Sequence, residues 1–266
     1  TTDAAGNMAT CSFTLLVEDC EAPVINCPAA ITLECADGGN AAAITAFEME
    51  ATAVDNCDDS VVTSAAVFSI DTNCGMTSVT TYIFTATDDA GNTSTCISTV
   101  TIEDTTPPVI VAGAAGAAEC DGSGNTTELL TWVQNNGGAT ASDVCGSINW
   151  TNDFSGLTAA CAETGAATVT FTVTDECGNT SMTMGTFTIT DSMDPTIIPP
   201  ADIMLECGSE ENEAIINNWL NGYTTNDLCG DVTVTNNYTA APTMCEAGMN
   251  VVTVTWTAED ECGMDA

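Results

Sequence analysis

Apolar and polar residues alternate along three stretches of this chain. Tyr82, Phe84 and Ala86, then Val169, Phe171 and Val173, then Val252, Val254, Trp256 and Ala258 are each interleaved mostly with threonine. That period of two is the mark of a half-buried β-strand. After the first two, a second β-branched, alternating stretch follows: C-I-S-T-V-T-I-E-D over 96–104 and M-G-T-F-T-I-T-D over 184–191. The residues between, D-x-x-G-N, tolerate positive φ, so the pattern predicts a hairpin closing each module. One stretch follows the helical period instead. S-E-E-N-E-A-I-I-N-N-W-L-N-G (209–222) has Ser209 as cap, acids in the first turn and Gly222 at its end, and reads as a short helix. Trp219 lies twelve residues after Cys207, as Trp132 does after Cys120 and Phe47 after Cys35. One aromatic per module is therefore expected to anchor this segment on the core.

The alternation recurs because the chain repeats. TTDAAGN (1–7), TDDAGN (87–92), TDECGN (174–179) and EDECGM (259–264) align on Gly6, Gly91, Gly178 and Gly263, spaced by 85, 87 and 85 residues. A second landmark keeps the same phase: DCEAPVI, DTTPPVI and DSMDPTI align Pro23, Pro108 and Pro195. Proline fixes φ and removes a ladder donor, which suits a module boundary. The modules read as 19–103, 104–190 and 191–266, the last truncated, with 1–18 the C-terminal tail of a preceding one. The expected whole is a section of a longer natural array. All-β tandem modules, with a short helix inserted in at least the second and third, are the expected fold.

Charge narrows the functions. The chain holds 38 Asp and Glu and no Lys, Arg or His, so it cannot neutralise phosphates or anionic headgroups, and nucleic acid is excluded as a partner. The same absence removes the usual general base, amine nucleophile and oxyanion clamp. A carboxylate pair can run glycoside hydrolysis, but no pair stands out, and no catalytic residue is expected. No run of 18 apolar residues occurs, so no direct membrane insertion is expected in this stretch. Trp150, aligned with Val62 and Val234, is the tryptophan without an aromatic counterpart; it is expected to pack in the core and is otherwise the first candidate for a surface contact.

Fifteen cysteines without a C-x-x-C pair point to disulfides in an oxidising compartment. The second and third modules carry matching sets, Cys120, Cys145, Cys161, Cys177 and Cys207, Cys229, Cys245, Cys262, and four cysteines allow three connectivities. The first shares Cys35, Cys57 and Cys74, has Ala90 at the fourth position, and adds Cys20, Cys27 and Cys96. Cys27 and Cys96 lack counterparts together in the second module, which pairs them. The favoured scheme closes every bridge within a module: Cys120–Cys177, Cys207–Cys262, Cys145–Cys161, Cys229–Cys245, Cys57–Cys74 and Cys20–Cys35. Cys11, aligned with Cys96, is left for a partner in the preceding module, with a free thiol or an intersubunit bridge as the alternative.

The combination P-V-I-N-C-P (23–28), V-D-N-C (54–57) and T-A-T-D-D-A-G-N (85–92) followed by Cys96 resembles the HYR (hyalin repeat) module, an immunoglobulin-like β-sandwich. The second and third modules look like cysteine-richer relatives strung together in giant cell-surface adhesins of Bacteroidota. The resemblance implies an extracellular, cell-surface, adhesive and non-enzymatic protein. It also implies Ca²⁺ at the joints, with Asp88, Asp89, Asp175 and Glu176 on turns and Asp104 and Asp191 in linkers as oxygen ligands. The cages so expected join the turn acids of one module to the linker leading to the next. Asp59-Ser60-Val61, Asp104-Thr105-Thr106 and Asp191-Ser192-Met193 look like the O-glycosylation motif of that phylum, making Ser60, Thr105 and Ser192 candidate sites. The expected partners are neighbouring modules and an unidentified surface or glycan ligand. The function reads as a structural and adhesive stalk, with the subunit of a self-assembling filament or sheath, a homopolymer, as the alternative.

Overall fold

A computed structural model of the chain describes residues 1–240 and 251–266. It forms two compact units, one of Thr1–Pro107 with Asp143–Ser147 and Asp175–Asn179, the other of Pro108–Ser142, Ile148–Thr174 and Thr180–Ala266. Two loops of the second repeat thus belong to the first unit.

The first unit is an immunoglobulin-like sandwich. Its strands are β1 (Val24–Asn26), β2 (Ile31–Glu34), β3 (Thr52–Val54), β4 (Val62–Thr72), β5 (Ser78–Thr87) and β6 (Thr93–Glu103), with helix α1 (Ala41–Glu48) between β2 and β3. One sheet has the order β2-β6-β5-β4, and β1 pairs with β3 in the other. β2 runs parallel to the closing strand β6, and β5 and β6 are the hairpin read from the alternation. Because the side-chain period is two, Tyr82, Phe84 and Ala86 all turn inward and their threonine neighbours do not. Phe47 of α1 meets Tyr82 and Phe84 edge-on, each at 5.5 Å between centroids. No start signal marks α1 in A-A-A-I-T-A-F-E, where the first turn holds no acid; burial of Phe47 fixes it. Phe84 is fully enclosed, so Phe84→Ala is expected to cost about 3–5 kcal/mol, read as a lower urea midpoint with unchanged slope.

The second unit holds two further repeats. In the first of them lie β7 (Val109–Val111), β8 (Gly116–Glu119), α2 (Thr126–Gln134), β9 (Thr140–Ser142), β10 (Ile148–Asn152), β11 (Thr158–Ala159), β12 (Gly165–Asp175) and β13 (Thr180–Thr190). The sheet order β10-β12-β13-β8, with β8 parallel to β13, repeats the first sandwich. Trp132 of α2 stands 5.5 Å from Phe171 and 5.6 Å from Phe187. Gly185 leaves it room, since a Cβ there would lie 2.8 Å from the indole. Trp150 is half-buried against the same core rather than offered at the surface, because β10 turns it inward beside Phe154 and Leu157.

The last repeat has β14 (Thr196–Ile198), α3 (Asn212–Leu220), β15 (Thr224–Asn226), β16 (Val232–Asn236) and β17 (Trp256–Asp260). Trp219 packs on Trp256 at 5.0 Å and donates its indole N–H to the Ala201 carbonyl. The helix begins later than Ser209, whose hydroxyl accepts the Glu211 N–H at 3.3 Å.

Strand direction gives each sandwich an entry pole and an exit pole. In the first repeat Val24 pairs with Val54, which puts the loop from Asp55 to Cys57 beside the incoming linker. The β5–β6 turn lies there too, its Asn92 side chain donating to the Asp19 carbonyl. Cys35 and Cys74 are at the other end. The Cys35 N–H donates to Glu103 at the close of β6, and Cys74 sits just before Ser78, which faces Ile102. The ten residues of β5 separate the poles by roughly 33 Å.

Candidate metal centres and the inter-repeat disulfides

That polarity decides the cysteine chemistry. In the first unit Cys35 is bonded to Cys145 and Cys74 to Cys177, with Cα atoms 5.9 and 5.1 Å apart and 110 and 103 residues between them in sequence. In the second unit Cys120 is bonded to Cys229 and Cys161 to Cys262, at 5.8 and 5.2 Å. Each repeat therefore sends two exit-pole cysteines to two entry-pole cysteines of the next. This overturns the scheme closed within modules. Cys120–Cys177, Cys145–Cys161 and Cys57–Cys74 each ask one bridge to span opposite poles, and β12 alone holds Cys161 and Cys177 about 36 Å apart. Cys262 goes to Cys161 rather than Cys207, which is itself disulfide-bonded. Cys229 goes to Cys120, and Cys245 lies outside the described residues. Cys20–Cys35 does not form, and Cys11, Cys20 and Cys57 are free and exposed. Cys27 and Cys96 are bonded inside the first sandwich.

A tight turn seats these bridges. The Met76 N–H donates to the Cys145 carbonyl at 2.8 Å, and Gly75 adopts φ +55, where a Cβ would lie 2.3 Å from that same oxygen. Only glycine fits so close a left-handed approach.

Carboxylates gather at the same places. Asp19 and Asp55 with Cys57, and Asp104 and Asp143 with Cys145, in the first unit, and Asp191 and Asp260 with Cys262 in the second, each bring ligand-capable atoms within 4.8 Å of one another. Cys145 and Cys262 are spent in disulfides, so those clusters offer oxygen alone. Burial, only partly offset by the Thr106 N–H, pushes the Asp104 carboxyl above its usual range, and Asp143, Asp175 and Glu34 push it further. Asp191 is raised the same way, by burial first and then by Asp227, Asp260 and Glu119 against the Met193 N–H. In a chain without a cationic side chain nothing covalent balances this charge.

The expected ligands divide. Asp104 and Asp191 lie in the clusters, and Asp175 is close enough to Asp104 to repel its charge. Asp88 occupies the corresponding turn beside Asp19, and Asp88 and Asp175 are lowered because hydrogen bonds from Asn92 and Asn179 outweigh their burial. Asp89 and Glu176 point outward: the Asp89 N–H donates to Asp58, and Glu176 accepts from Ser147. The expected grouping also reverses. Asp175 faces Asp104, in the linker entering its own repeat, because the eleven residues of β13 carry Asp191 about 35 Å away. Asp55, Asp143 and Asp227 went unread as ligands, although D-x-C at 55–57, 143–145 and 227–229 recurs in register.

Linker hydroxyls complete each joint. Thr105 donates from N–H and Oγ1 to Glu34, and Ser192 likewise to Glu119, the residues preceding Cys35 and Cys120. Those two hydroxyls and that of Ser60, which bonds Asp58, are exposed but engaged.

The donor set fits a hard divalent cation. Oxygens of the Asp191 and Asp260 carboxylates, both named Oδ2, are buried without a hydrogen-bond partner, and a buried carboxylate oxygen is costly until something compensates it. Oxygen-only, flexible surroundings suit Ca²⁺ better than a thiolate-loving metal.

No family model matches the chain, and no curated relative does. Among solved structures the chain is similar to human CDH23 EC21–23, at 10% identity over 92% of this chain and 98% of that one, with a TM-score of 0.31. It is also similar to Drosophila N-cadherin EC1–4, at 13% identity over 64% and 50%, with a TM-score of 0.29. The human desmocollin-1 ectodomain gives 12% identity over 100% and 64%, with a TM-score of 0.27. The chain thus spans half of the N-cadherin fragment and just under two thirds of the desmocollin ectodomain. Likeness this slight carries no argument; topology and joints carry the reading.

Proposed function

We propose that the chain is a load-bearing stretch of an extracellular, non-enzymatic adhesion protein, a stalk of HYR-like repeats of the kind strung along Bacteroidota surface adhesins. The observation that carries it is the ladder: two disulfides join each repeat to the next. Bridges of that kind persist only in an oxidising compartment. They do little for a lone sandwich and much for a column under tension, since pulling on one repeat loads two covalent links to its neighbour. Ca²⁺ bound among Asp104, Asp143 and Asp175, and among Asp191, Asp227 and Asp260, stiffens the joints by cancelling their charge. The absence of Lys and Arg removes every tryptic site from an exposed stalk. O-glycans on Ser60, Thr105 and Ser192 add further protection at the surface.

Peptide mapping without reductant, using a glutamate-specific protease, tests the ladder. Recovery of Cys35–Cys145 and Cys120–Cys229 peptides is expected, and recovery of Cys145–Cys161 instead would sink the stalk reading. The free, exposed Cys11, Cys20 and Cys57 support a second reading, a filament polymerised through intermolecular bridges. The mass of the unreduced native protein separates the two, as a disulfide-linked series of multiples belongs to the filament alone.

A further inference from the structure

The ladder and the acid clusters share one short motif. In Asp143-Val144-Cys145 the cysteine N–H donates to its own Asp at 2.7 Å, and Asp175 and Cys177 repeat the contact at 2.8 Å. Asp227 and Cys229 do so at 2.9 Å, and Asp260 and Cys262 at 2.7 Å. Every entry-pole cysteine that receives a bridge is thus held by a joint carboxylate two residues before it. A carboxylate has a second oxygen. At the Asp260 turn it stands free: the residue is 6% exposed, and its Oδ2 has no partner. Asn92 and Asn179 fill that role for Asp88 and Asp175, but Met264 cannot. The motif also keeps its shape where no bridge exists, since the N–H of free Cys57 donates to Asp55 at 2.8 Å. Presentation of the cysteine therefore does not depend on the disulfide.

On the premise that the joints bind a cation, as in the proposed stalk, we propose that this ion is the template for the inter-repeat disulfides. A divalent cation of the Ca²⁺ type, seated among Asp104, Asp143 and Asp175 and among Asp191, Asp227 and Asp260, sets the receiving cysteines opposite Cys35, Cys74, Cys120 and Cys161 before oxidation. A template is needed because chain statistics favour the wrong partners. Cys145 and Cys161 are 16 residues apart and Cys74 and Cys177 are 103, so the short loop closes roughly 16-fold more readily in an unfolded chain. Folding of a single sandwich moves Cys145 and Cys161 to opposite poles and blocks that pair, yet leaves the neighbouring repeat unplaced. Like charges at the joint then hold the linker and loops apart, and an ion drawing on all three segments brings them together. Each bridge takes two thiols to one disulfide, releasing two protons and giving two electrons to oxidised glutathione, which leaves as two glutathione thiols.

The test is oxidative refolding of the whole chain from the reduced, denatured state in a glutathione buffer, with Ca²⁺ or with excess chelator, followed by alkylation and peptide mapping. With Ca²⁺, Cys35–Cys145, Cys74–Cys177, Cys120–Cys229 and Cys161–Cys262 are expected to dominate. In chelator, these four bridges should form at least several-fold more slowly, their cysteines being recovered alkylated or as mixed disulfides with glutathione. Asp104→Asn with Asp143→Asn should abolish the Ca²⁺ effect on the first two bridges and leave the other two as an internal control. The same ladder formed at the same rate in chelator, in a protein whose native form still binds Ca²⁺ by calorimetry, overturns the template and spares the cation site. No Ca²⁺ binding to the native protein overturns both.

Discussion

Replacing Cys35 and Cys145 together by serine is expected to lower the unfolding free energy of the first unit by about 4 kcal/mol. The bridge closes a loop of 110 residues, and the chain entropy it removes from the unfolded state grows with the logarithm of loop length. The neighbouring Cys74–Cys177 link already shortens that loop, but a logarithm changes little between about 70 and 110 residues. Removing both bridges should leave the first sandwich folded, because its core of Phe47, Tyr82, Phe84 and Val100 and its own Cys27–Cys96 disulfide are untouched. The loss should therefore fall on the coupling of Asp143–Ser147 and Asp175–Asn179 to the first sandwich. Guanidinium unfolding of the double variant measures it, and a wild-type midpoint would show that these links bear nothing. Proteolytic nicking within 104–107 gives an independent reading: the two pieces should separate on a denaturing gel only after reductant.

What the residues revealed and what they hid have the same origin. Alternation with a period of two is a local property, so the β5–β6 hairpin and the inward set Tyr82, Phe84 and Ala86 could be read directly. The aromatic twelve residues beyond Cys35, Cys120 and Cys207 was legible for the same reason, and so was the helix that carries it in the second and third repeats, whereas α1 around Phe47 bore no start signal. Bridge partners are not local. An even number of cysteines per repeat suggested closure within the repeat, but parity is equally satisfied when two bridges enter and two leave. Strand length decides between these, because a strand of ten or eleven residues puts Cys161 and Cys177 at opposite poles. The acid clusters failed on the same point. Sequence nearness placed Asp175 with Asp191, whereas β13 carries the chain the length of the sandwich between them, and Asp104, 71 positions earlier, is the neighbour. Asp89 and Glu176 adjoin buried carboxylates in sequence and so face the other way, as alternate residues at a strand end do.

Asp104→Asn should change the sign of its effect with the cation. In chelator the ionised Asp104 is a liability, since burial raises its carboxyl and Asp143, Asp175 and Glu34 repel it. A carboxyl raised in the folded state binds more protons there than in the unfolded chain, so its contribution is fully present below the unfolded value of 3.8 and is lost as pH rises through the folded one. At neutral pH that loss is complete, and the amide, which cannot ionise, removes it. The variant should melt a few degrees higher than the wild type in chelator, with the advantage disappearing as the pH is lowered toward 4. Asp175, whose carboxyl is lowered, titrates with the opposite sign, but it is present in both proteins and cancels in the comparison. With Ca²⁺ at about a hundred times its dissociation constant, binding stabilises the wild type by about 2.7 kcal/mol per site. A cage in which a neutral amide oxygen replaces the Asp104 carboxylate forfeits most of that, and the order of the two melting curves should invert. Asp191→Asn in the second unit should behave alike, because Asp227, Asp260 and Glu119 surround it in the same way. A variant that is more stable than wild type in both buffers would mean that the joints are repulsive acid clusters without a cation; one that is less stable in both would assign Asp104 to the hydrogen bonding of its linker, where it accepts the Thr106 N–H.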